Sequence, residues 1–185
     1  MANLNAFNFI TLNGYFEGAY KGDISWHRHG TEENEFAVEA QKPGGILLFG
    51  RVTYDQMAGY WPSPDASRHS PALAASMNKA EKIVFSRTMK KAEWNNTKIV
   101  GSMNEIRKLK ETSTKDMTLL GSGSILTQLA EEGLLDSYQV MLDPVILGDG
   151  SPIFKGLTHK LDLQLMSTRT FKSGVVLLTY QILGK

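Results

Sequence analysis

The sequence predicts an α/β protein whose sheet is mixed, mainly parallel, and closed by an antiparallel hairpin. Over roughly the first two thirds of the chain, short apolar strands alternate with helical segments, a pattern typical of parallel strands joined by helices. Beyond that point strand-like runs follow one another with turns between them, which indicates antiparallel pairing. With 185 residues the chain is long enough for one domain with a sizeable core. We therefore expect a single domain over residues 1–185.

The first elements are a strand at residues 3–12 and a helix that follows a polar, glycine-containing segment. Asn13-Gly14 marks the turn after the strand, Thr31 is suited to cap the helix, and Pro43-Gly44-Gly45 ends it. A proline-rich stretch at residues 61–71 has no periodicity and predicts a loop. Further strands are predicted at residues 46–49, 82–85, 99–100 and 117–120, and further helices at 52–59, 73–78, 104–112 and 125–132.

The C-terminal third is predicted to contain strands and no helix. Residues 137–147 form a long strand-like run interrupted by Pro144, and Asp149-Gly150 is a turn signal. Residues 161–171 and 175–183 flank Lys172-Ser173-Gly174, which predicts a hairpin. Gly133, at the end of the last predicted helix, is a C-terminal cap candidate.

Composition excludes several classes of function. Twenty basic and nineteen acidic residues leave a net charge of +1, which gives no electrostatic reason to expect nucleic acid or a membrane surface as partner. The chain has no cysteine, so disulfides and thiolate chemistry are excluded. No apolar run approaches the roughly 20 residues of a membrane-spanning helix, and the N-terminus lacks a signal pattern. We expect a cytoplasmic protein. No metal site is predicted, because His27 and His29 have no evident third ligand.

The segment Gly50-Arg51-Val52-Thr53 is the most informative in the chain, because it joins a buried strand to a helix. A cation at a helix N-terminus faces the positive end of the helix dipole and is disfavoured unless an anion lies there too. Glycine at the strand exit permits close approach of a ligand. The junction therefore suggests a bound phosphate.

Two other strand ends carry residues suited to phosphate. The turn Gly121-Ser122-Gly123-Ser124 precedes a helix, and small residues there let backbone N–H groups face a diphosphate. Ser86-Arg87-Thr88 follows the strand at 82–85 and suits a phosphomonoester. Each segment alone has a simpler interpretation, as a tight turn and a solvated loop respectively. Together they indicate one anionic ligand, since ligands of α/β sheets gather at the carboxyl ends of the strands.

These motifs, together with residues 134–154 (LLDSYQVMLDPVILGDGSPIF), resemble the dihydrofolate reductase-like superfamily. The similarity is strongest to the branch of the C-terminal reductase domain of the bacterial riboflavin-biosynthesis deaminase/reductase, RibD. It extends from Asn3 to the final strand. The resemblance implies a three-layer α/β/α fold with a mixed, mainly parallel eight-stranded sheet that ends in an antiparallel hairpin. It also implies NADPH bound in extended form across the strand ends, and a possible homodimer through the C-terminal strands.

The resemblance implies roles for matching positions. Arg51 and Thr53, after Gly50, would hold cofactor phosphates, while Ser86, Arg87 and Thr88 would contact the adenosine-side phosphate. The pyrophosphate would lie against residues 121–125: Gly121, Ser122, Gly123, Ser124 and Ile125. Asn13 and Gly14 would lie in the loop over the nicotinamide; relatives often have an aspartate where this chain has Asn13.

The substrate side offers one candidate by resemblance. Folate reductases carry a carboxylate on the first helix that supports substrate protonation, and Glu33 is the best positional analogue here. The simpler alternative is that Glu32, Glu33, Glu35 and Glu39 form a solvated helix face. Asp143-Pro144 is interpreted as a strand bend.

The resulting functional hypothesis is an NADPH-dependent reductase that transfers hydride to a small heterocyclic, ribosylaminopyrimidine or pterin-like substrate. Such an enzyme is similar to 5-amino-6-(5-phosphoribosylamino)uracil reductase or dihydrofolate reductase. The alternatives are a non-catalytic NADP(H)-binding module of the same fold and a structural oligomer with an emptied cleft.

Overall fold

The central sheet has eight strands, five of whose seven pairings are parallel. It belongs to a computed structural model that describes residues 1–40 and 44–184. The strands are β1 (Leu4–Thr11), β2 (Tyr15–Glu17), β3 (Ile46–Gly50), β4 (Glu81–Phe85), β5 (Thr97–Val100), β6 (Met117–Leu119), β7 (Ser137–Asp143), β8 (Ser151–Pro152), β9 (Leu163–Thr170) and β10 (Val176–Ile182). The order across the sheet is β5-β4-β3-β6-β1-β7-β10-β9, while β2 and β8 form a small second sheet.

The parallel register brings the carboxyl ends of six strands, β5, β4, β3, β6, β1 and β7, to one edge. Thr11 at the end of β1 lies opposite Asp143 at the end of β7, and Gly50 at the end of β3 lies opposite Phe85. Segments far apart in the sequence therefore meet along this edge. The antiparallel pairs β7–β10 and β10–β9 complete the sheet, so the predicted closing hairpin is confirmed.

Helices cover the two faces of the sheet, which confirms the three-layer architecture. They are α1 (Thr31–Ala40), α2 (Arg51–Tyr60), α3 (Pro64–His69), α4 (Pro71–Lys79), α5 (Met103–Thr112) and α6 (Gly123–Glu131). On one face α5 and α6 bury Ile106, Leu126 and Leu129 against β1, β3 and β6. On the other, Tyr54 of α2 and Met77 of α4 pack with Phe49 of β3.

Three local expectations need correction. The predicted loop at 61–71 contains α3. Ser63 caps the start of this helix by accepting a hydrogen bond from the Ala66 N–H, and Pro64 occupies the first helical turn. Helix α5 begins after Ser102, not Asn104, since Ser102 and Glu105 form a reciprocal capping box. The short β2–β8 pair was not predicted. The expected helix end at Pro43 lies outside the described residues.

Other boundaries agree with the sequence within a few residues. Gly133 has a φ of +62° and follows α6 as predicted. Strand β7 ends at Asp143, immediately before Pro144. Among the described residues, no helix has both the length and the apolarity that crossing a bilayer requires.

Candidate functional site

A groove of about 310 Å³ lies at the carboxyl ends of β3, β4 and β6. Residues from all three phosphate-suited segments line it, although they lie up to 73 positions apart (Arg51 to Ser124). The lining residues are Arg51, Val52, Phe85, Ser86, Arg87, Thr88, Ser122, Ser124, Ile125 and Gln128. We call this set the anion groove, because it combines two guanidinium groups, four hydroxyl groups and the start of α6.

Close packing of β3 against the turn after β6 forms the floor of the anion groove. The Gly50 N–H donates to the Gly121 carbonyl oxygen at 2.7 Å. A Cβ atom at Gly50 would lie 2.6 Å from Ser122 Oγ and 3.0 Å from Ile125 Cγ1. Position 50 therefore requires glycine for this approach. Gly121 has a φ of +124° and a cis peptide bond to Ser122.

Thr53 borders the groove without lining it. Its Oγ1 would be 2.9 Å from a Cβ atom at Gly121, so the threonine packs directly beneath the turn. The Phe16 ring packs against Gly123, since a Cβ atom at position 123 would lie 2.8 Å from that ring.

The first turn of α6 opens into the groove. Ser122 is the N-cap residue, and its side chain makes no capping hydrogen bond. Instead the Ser122 and Ser124 hydroxyls lie 2.9 Å apart. Because the first backbone N–H groups of a helix have no intrahelical acceptors, this turn can accept an anion alongside the two hydroxyls.

Arg51 has an anionic partner within its own helix. Its Nε donates to Asp55 Oδ2 at 2.7 Å, and the two side chains are 46% and 51% exposed. The unfavourable charge seen in the sequence is thus offset by Asp55. The guanidinium remains in the groove lining, where it can exchange this carboxylate for a phosphate.

Ser86 and Arg87 lie at the other end of the anion groove. Ser86 is buried, and its Oγ accepts from the Met89 N–H at 3.0 Å, so it also shapes the loop. Arg87 and Thr88 are exposed.

Asn13 lies outside the groove lining and joins two loops. Its Nδ2 donates to the Leu147 carbonyl oxygen at 2.8 Å, and its Oδ1 accepts from Thr11 Oγ1 at 2.8 Å. Gly14, with a φ of +85°, makes the turn that follows. The loops after β1 and β7 are therefore tied together at the same sheet edge.

A second group of polar side chains lies at the ends of β1 and β7. Asp143 is fully buried and accepts from His27 Nδ1 at 2.7 Å and from the Arg28 backbone N–H at 2.8 Å. Because the carboxylate can only accept, Nδ1 carries the hydrogen of this bond. The pair joins the loop before α1 to the end of β7.

The His27 ring contacts two other rings. It stacks on Phe9 of β1, with the ring centroids 3.6 Å apart and an interplanar angle of 17°. His29 lies edge-on to it at 4.6 Å. Partial burial and the neighbouring His27 lower the pKa of His29, while Asp143 and Glu33 oppose that shift. His29 itself is exposed to solvent.

Glu33 points inward from the first turn of α1 and accepts a hydrogen bond from the Ser173 hydroxyl. It is 5% exposed, so the solvated-face interpretation is wrong for this glutamate. The predicted hairpin turn supplies Ser173, and Arg28 Nη1 donates to the Ser173 carbonyl oxygen at 2.6 Å. We call His27, His29, Glu33, Asp143 and Ser173 the histidine cluster.

Sequence reasoning did not identify the His27–Asp143 pair. The two residues lie 116 positions apart, and no local pattern connects them. The available signal was the position of Asp143, immediately before the Pro144 that interrupts the strand-like run at residues 137–147. Among residues 1–40 and 44–184, no group of three or more histidine, aspartate or glutamate side chains is arranged to hold a metal ion.

The fold matches solved reductase structures. A dihydrofolate reductase from Enterococcus faecalis complexed with NADP(H) superimposes with a TM-score of 0.68 at 16% identity, covering 97% of this chain and 96% of that one. A Thermotoga maritima diaminohydroxyphosphoribosylaminopyrimidine deaminase/5-amino-6-(5-phosphoribosylamino)uracil reductase gives a TM-score of 0.69 at 13% identity. That match covers 98% of this chain and 57% of the longer protein.

Sequence comparison identifies the family. The uncharacterized protein YyaP of Bacillus subtilis (strain 168) is 30% identical over 173 residues, which cover 92% of this chain and 90% of YyaP. The family model of the RibD C-terminal domain matches residues 2–177. The fold, the segments at the strand ends and this match agree, and the chain belongs to the RibD C-terminal domain family.

Proposed function

We propose that the protein is an NADPH-dependent reductase acting on a C=N or C=O carbon of a small heterocyclic or ribosylaminopyrimidine-like molecule. The observation that carries this proposal is the adjacency of the anion groove and the histidine cluster at one sheet edge. The family and the two reductase folds support the class of reaction.

The groove residues fit the phosphates of NADPH. Arg51 and the first turn of α6 would hold the pyrophosphate, with the hydroxyls of Ser122 and Ser124 beside it. Arg87, Ser86 and Thr88 would hold the phosphate on the adenosine ribose. The glycines at positions 50 and 121 keep the floor close to the ligand, because a side chain at either would meet Ser122 or Thr53. When bound, NADPH supplies a hydride to an electrophilic carbon.

The order of the strands gives the direction of such a ligand. Ser86 and Arg87 follow β4, Arg51 follows β3, and Gly121 follows β6, so an extended dinucleotide would continue toward β1 and β7. Neighbouring strands are about 4.8 Å apart, so β4 and β1 are separated by about 14 Å. The histidine cluster would then border the nicotinamide end and receive the substrate.

Calorimetric titration with NADPH and with NADH tests the groove. We expect NADPH to bind more tightly, since NADH lacks the phosphate assigned to Arg87. Arg51→Ala should weaken NADPH binding about tenfold or more, because a charge-assisted hydrogen bond contributes about 1.5–3 kcal/mol. Arg107→Ala is the matched control, since Arg107 is also about half exposed and paired with a glutamate, Glu132. Equal NADPH affinity in the Arg51→Ala and Arg107→Ala variants would contradict the proposed site.

NADPH oxidation distinguishes the reductase from a non-catalytic NADP(H)-binding module. The panel would contain 7,8-dihydrofolate, 5-amino-6-ribosylaminouracil with and without its phosphate, and simple aldehydes and imines. Oxidation that depends on one of these compounds supports the reductase. Tight NADPH binding with no oxidation across the panel supports the binding module.

A further inference from the structure

Reduction of a C=N or C=O bond by hydride also requires one proton for the nitrogen or oxygen. The histidine cluster carries titratable groups at the ends of β1 and β7, beside the proposed nicotinamide position, so we seek the donor among them. This step rests on the proposed reductase function. Apart from Asp143, which accepts hydrogen bonds from His27 and the Arg28 N–H, the cluster holds three candidate acids: His27, His29 and Glu33.

Two of the three are engaged in contacts that hold them away from a ligand. His27 has a side chain only 1% exposed, its Nδ1 is bound to Asp143, and its ring is fixed on Phe9. Glu33 is buried and accepts from the Ser173 hydroxyl. Neither can approach a substrate without breaking a buried contact.

His29 differs because it is exposed and packs on His27 through one ring edge. Gly30 follows it, and a Cβ atom there would lie 2.3 Å from Glu33 Oε2. The chain therefore passes close to the buried carboxylate, and His29 adjoins the cluster with its own side chain exposed.

We propose that His29 is the proton donor of the reduction, with the His27–Asp143 pair and Glu33 as positioning residues. As the substrate carbon gains the hydride, its π bond to nitrogen or oxygen breaks, and that atom takes the proton of the His29 imidazolium. The product is an amine N–H or an alcohol O–H. His29 then takes a proton from solvent, to which it is exposed.

The surrounding charges set the proton affinity of His29. His27 precedes it in the same loop, and the carboxylates of Asp143 in β7 and Glu33 in α1 act on it. Arg28 is its neighbour in the chain, and Glu32 at the start of α1 pairs with Lys172. Burial and His27 lower the pKa of His29 below its ordinary value of 6.5, against the two carboxylates. The two carboxylates favour the imidazolium and so oppose part of that lowering.

A purely structural cluster makes a different prediction. In that case His27 and Asp143 would only pin the loop before α1, and His29 would be a solvated neighbour. Its substitution would leave the pH dependence of turnover unchanged. The two interpretations therefore differ in properties other than stability.

The first test follows the four histidine side chains by ¹H–¹⁵N NMR over a pH series, without cofactor or substrate. We expect the pKa of His29 to lie below 6.5 and to fall further in Glu33→Gln, because a carboxylate that favours the imidazolium is removed. His69 and His159 lie outside the cluster and serve as internal references. A His29 pKa that is the same in Glu33→Gln as in the native protein would overturn the proposed coupling.

The second test measures kcat against pH for the compound in the panel that is reduced. In the native protein kcat should decline as pH rises through the pKa of His29, since the imidazolium is the reactive form. His29→Gln should lower kcat by about 10²–10⁴-fold, abolish that decline and leave NADPH affinity within about twofold. His159→Gln, which changes an exposed histidine paired with Glu131, is the control.

The outcomes separate the two proposals. Failure to bind or to oxidise NADPH overturns the proposed function, and the inference with it. Turnover with an unchanged kcat and pH profile in His29→Gln overturns the inference alone.

Discussion

The anion groove keeps its charged groups in solvent, whereas the histidine cluster buries His27, Glu33 and Asp143 and exposes only His29 among its titratable members. The Arg51 and Asp55 side chains are each about half exposed, while those of His27 and Asp143 are 1% and 0% exposed. An exposed ion pair contributes about 0–1 kcal/mol, but removing one partner of a buried pair costs about 3–5 kcal/mol. The same sheet edge thus carries one region in which charges are free to exchange partners and another in which they are fixed.

This difference suits the two proposed tasks. A groove for phosphates must release its arginine from Asp55 when the ligand arrives, so a weak pair is an advantage. A cluster that orients a proton donor must hold its geometry without the ligand. Changes to the exposed charged groups of the groove should therefore alter affinity with little effect on stability, and changes to the buried groups of the cluster should alter stability as well.

The largest expected effect is the loss of stability in Asp143→Ala. This substitution leaves His27 Nδ1 and the Arg28 N–H without their acceptor. We expect the free energy of unfolding at pH 7 to fall by about 3–5 kcal/mol, measured by urea denaturation. Asp55→Asn, which removes the exposed carboxylate of the groove, should change it by less than about 0.5 kcal/mol. Equal losses of unfolding free energy in the two variants would contradict the proposed difference between the two regions.

Gly50→Ala should act on the groove through packing. The added methyl group would meet Ser122 Oγ at 2.6 Å and displace the turn after β6. We expect about 1–3 kcal/mol lower stability together with at least tenfold weaker NADPH binding by calorimetry. Gly59→Ala is the matched control in α2, since nothing lies within 4 Å of its Cβ position. Unchanged NADPH binding in Gly50→Ala would show that the floor of the groove does not contact the ligand.

The smallest expected effect is a gain of affinity in Asp55→Asn. Asp55 competes with a bound phosphate for Arg51 and also repels it, so its neutralisation should tighten NADPH binding about two- to fivefold. The gain should shrink at high salt, because exposed charges are screened. Asp65→Asn alters a similarly exposed carboxylate, paired with Arg68 on α3, and should leave the affinity unchanged. Weaker binding in Asp55→Asn would mean that Asp55 holds Arg51 in place for the ligand.

The sequence alone predicted which segments meet in the groove, because each segment carries a local pattern. Gly50-Arg51, Ser86-Arg87 and residues 121–124 each follow an apolar strand, and parallel pairing brings such ends together. The same reasoning did not reveal that Asp55 offsets Arg51, because an exposed carboxylate one helical turn away is common and has no distinctive pattern. It also missed α3, whose Ser63-Pro64 start lies within a stretch that reads as a loop.

The histidine cluster could not be predicted from local sequence patterns, because its contacts join residues far apart in the chain. His27 reaches Asp143 across 116 positions, and Ser173 reaches Glu33 across 140. Glu33 was identified by its resemblance to a carboxylate on the first helix of folate reductases and by helical spacing, which places it on the stripe of Phe36, Ala37 and Ala40. Its burial depends on the closing hairpin, whose turn covers α1, and a helical pattern of residues 31–40 does not contain that information.

The central claim is that the groove and the cluster form one continuous site for an extended dinucleotide. Imidazole NMR spectra of the native protein, recorded with NADPH and separately with adenosine 2′,5′-bisphosphate, test it directly. Both ligands should bind in the groove, but only NADPH should shift the His27 and His29 resonances, because only the dinucleotide spans from β4 to β1. If NADPH binds but the His27 and His29 resonances are the same with NADPH as with the adenosine fragment, the two regions are separate and the claim is wrong.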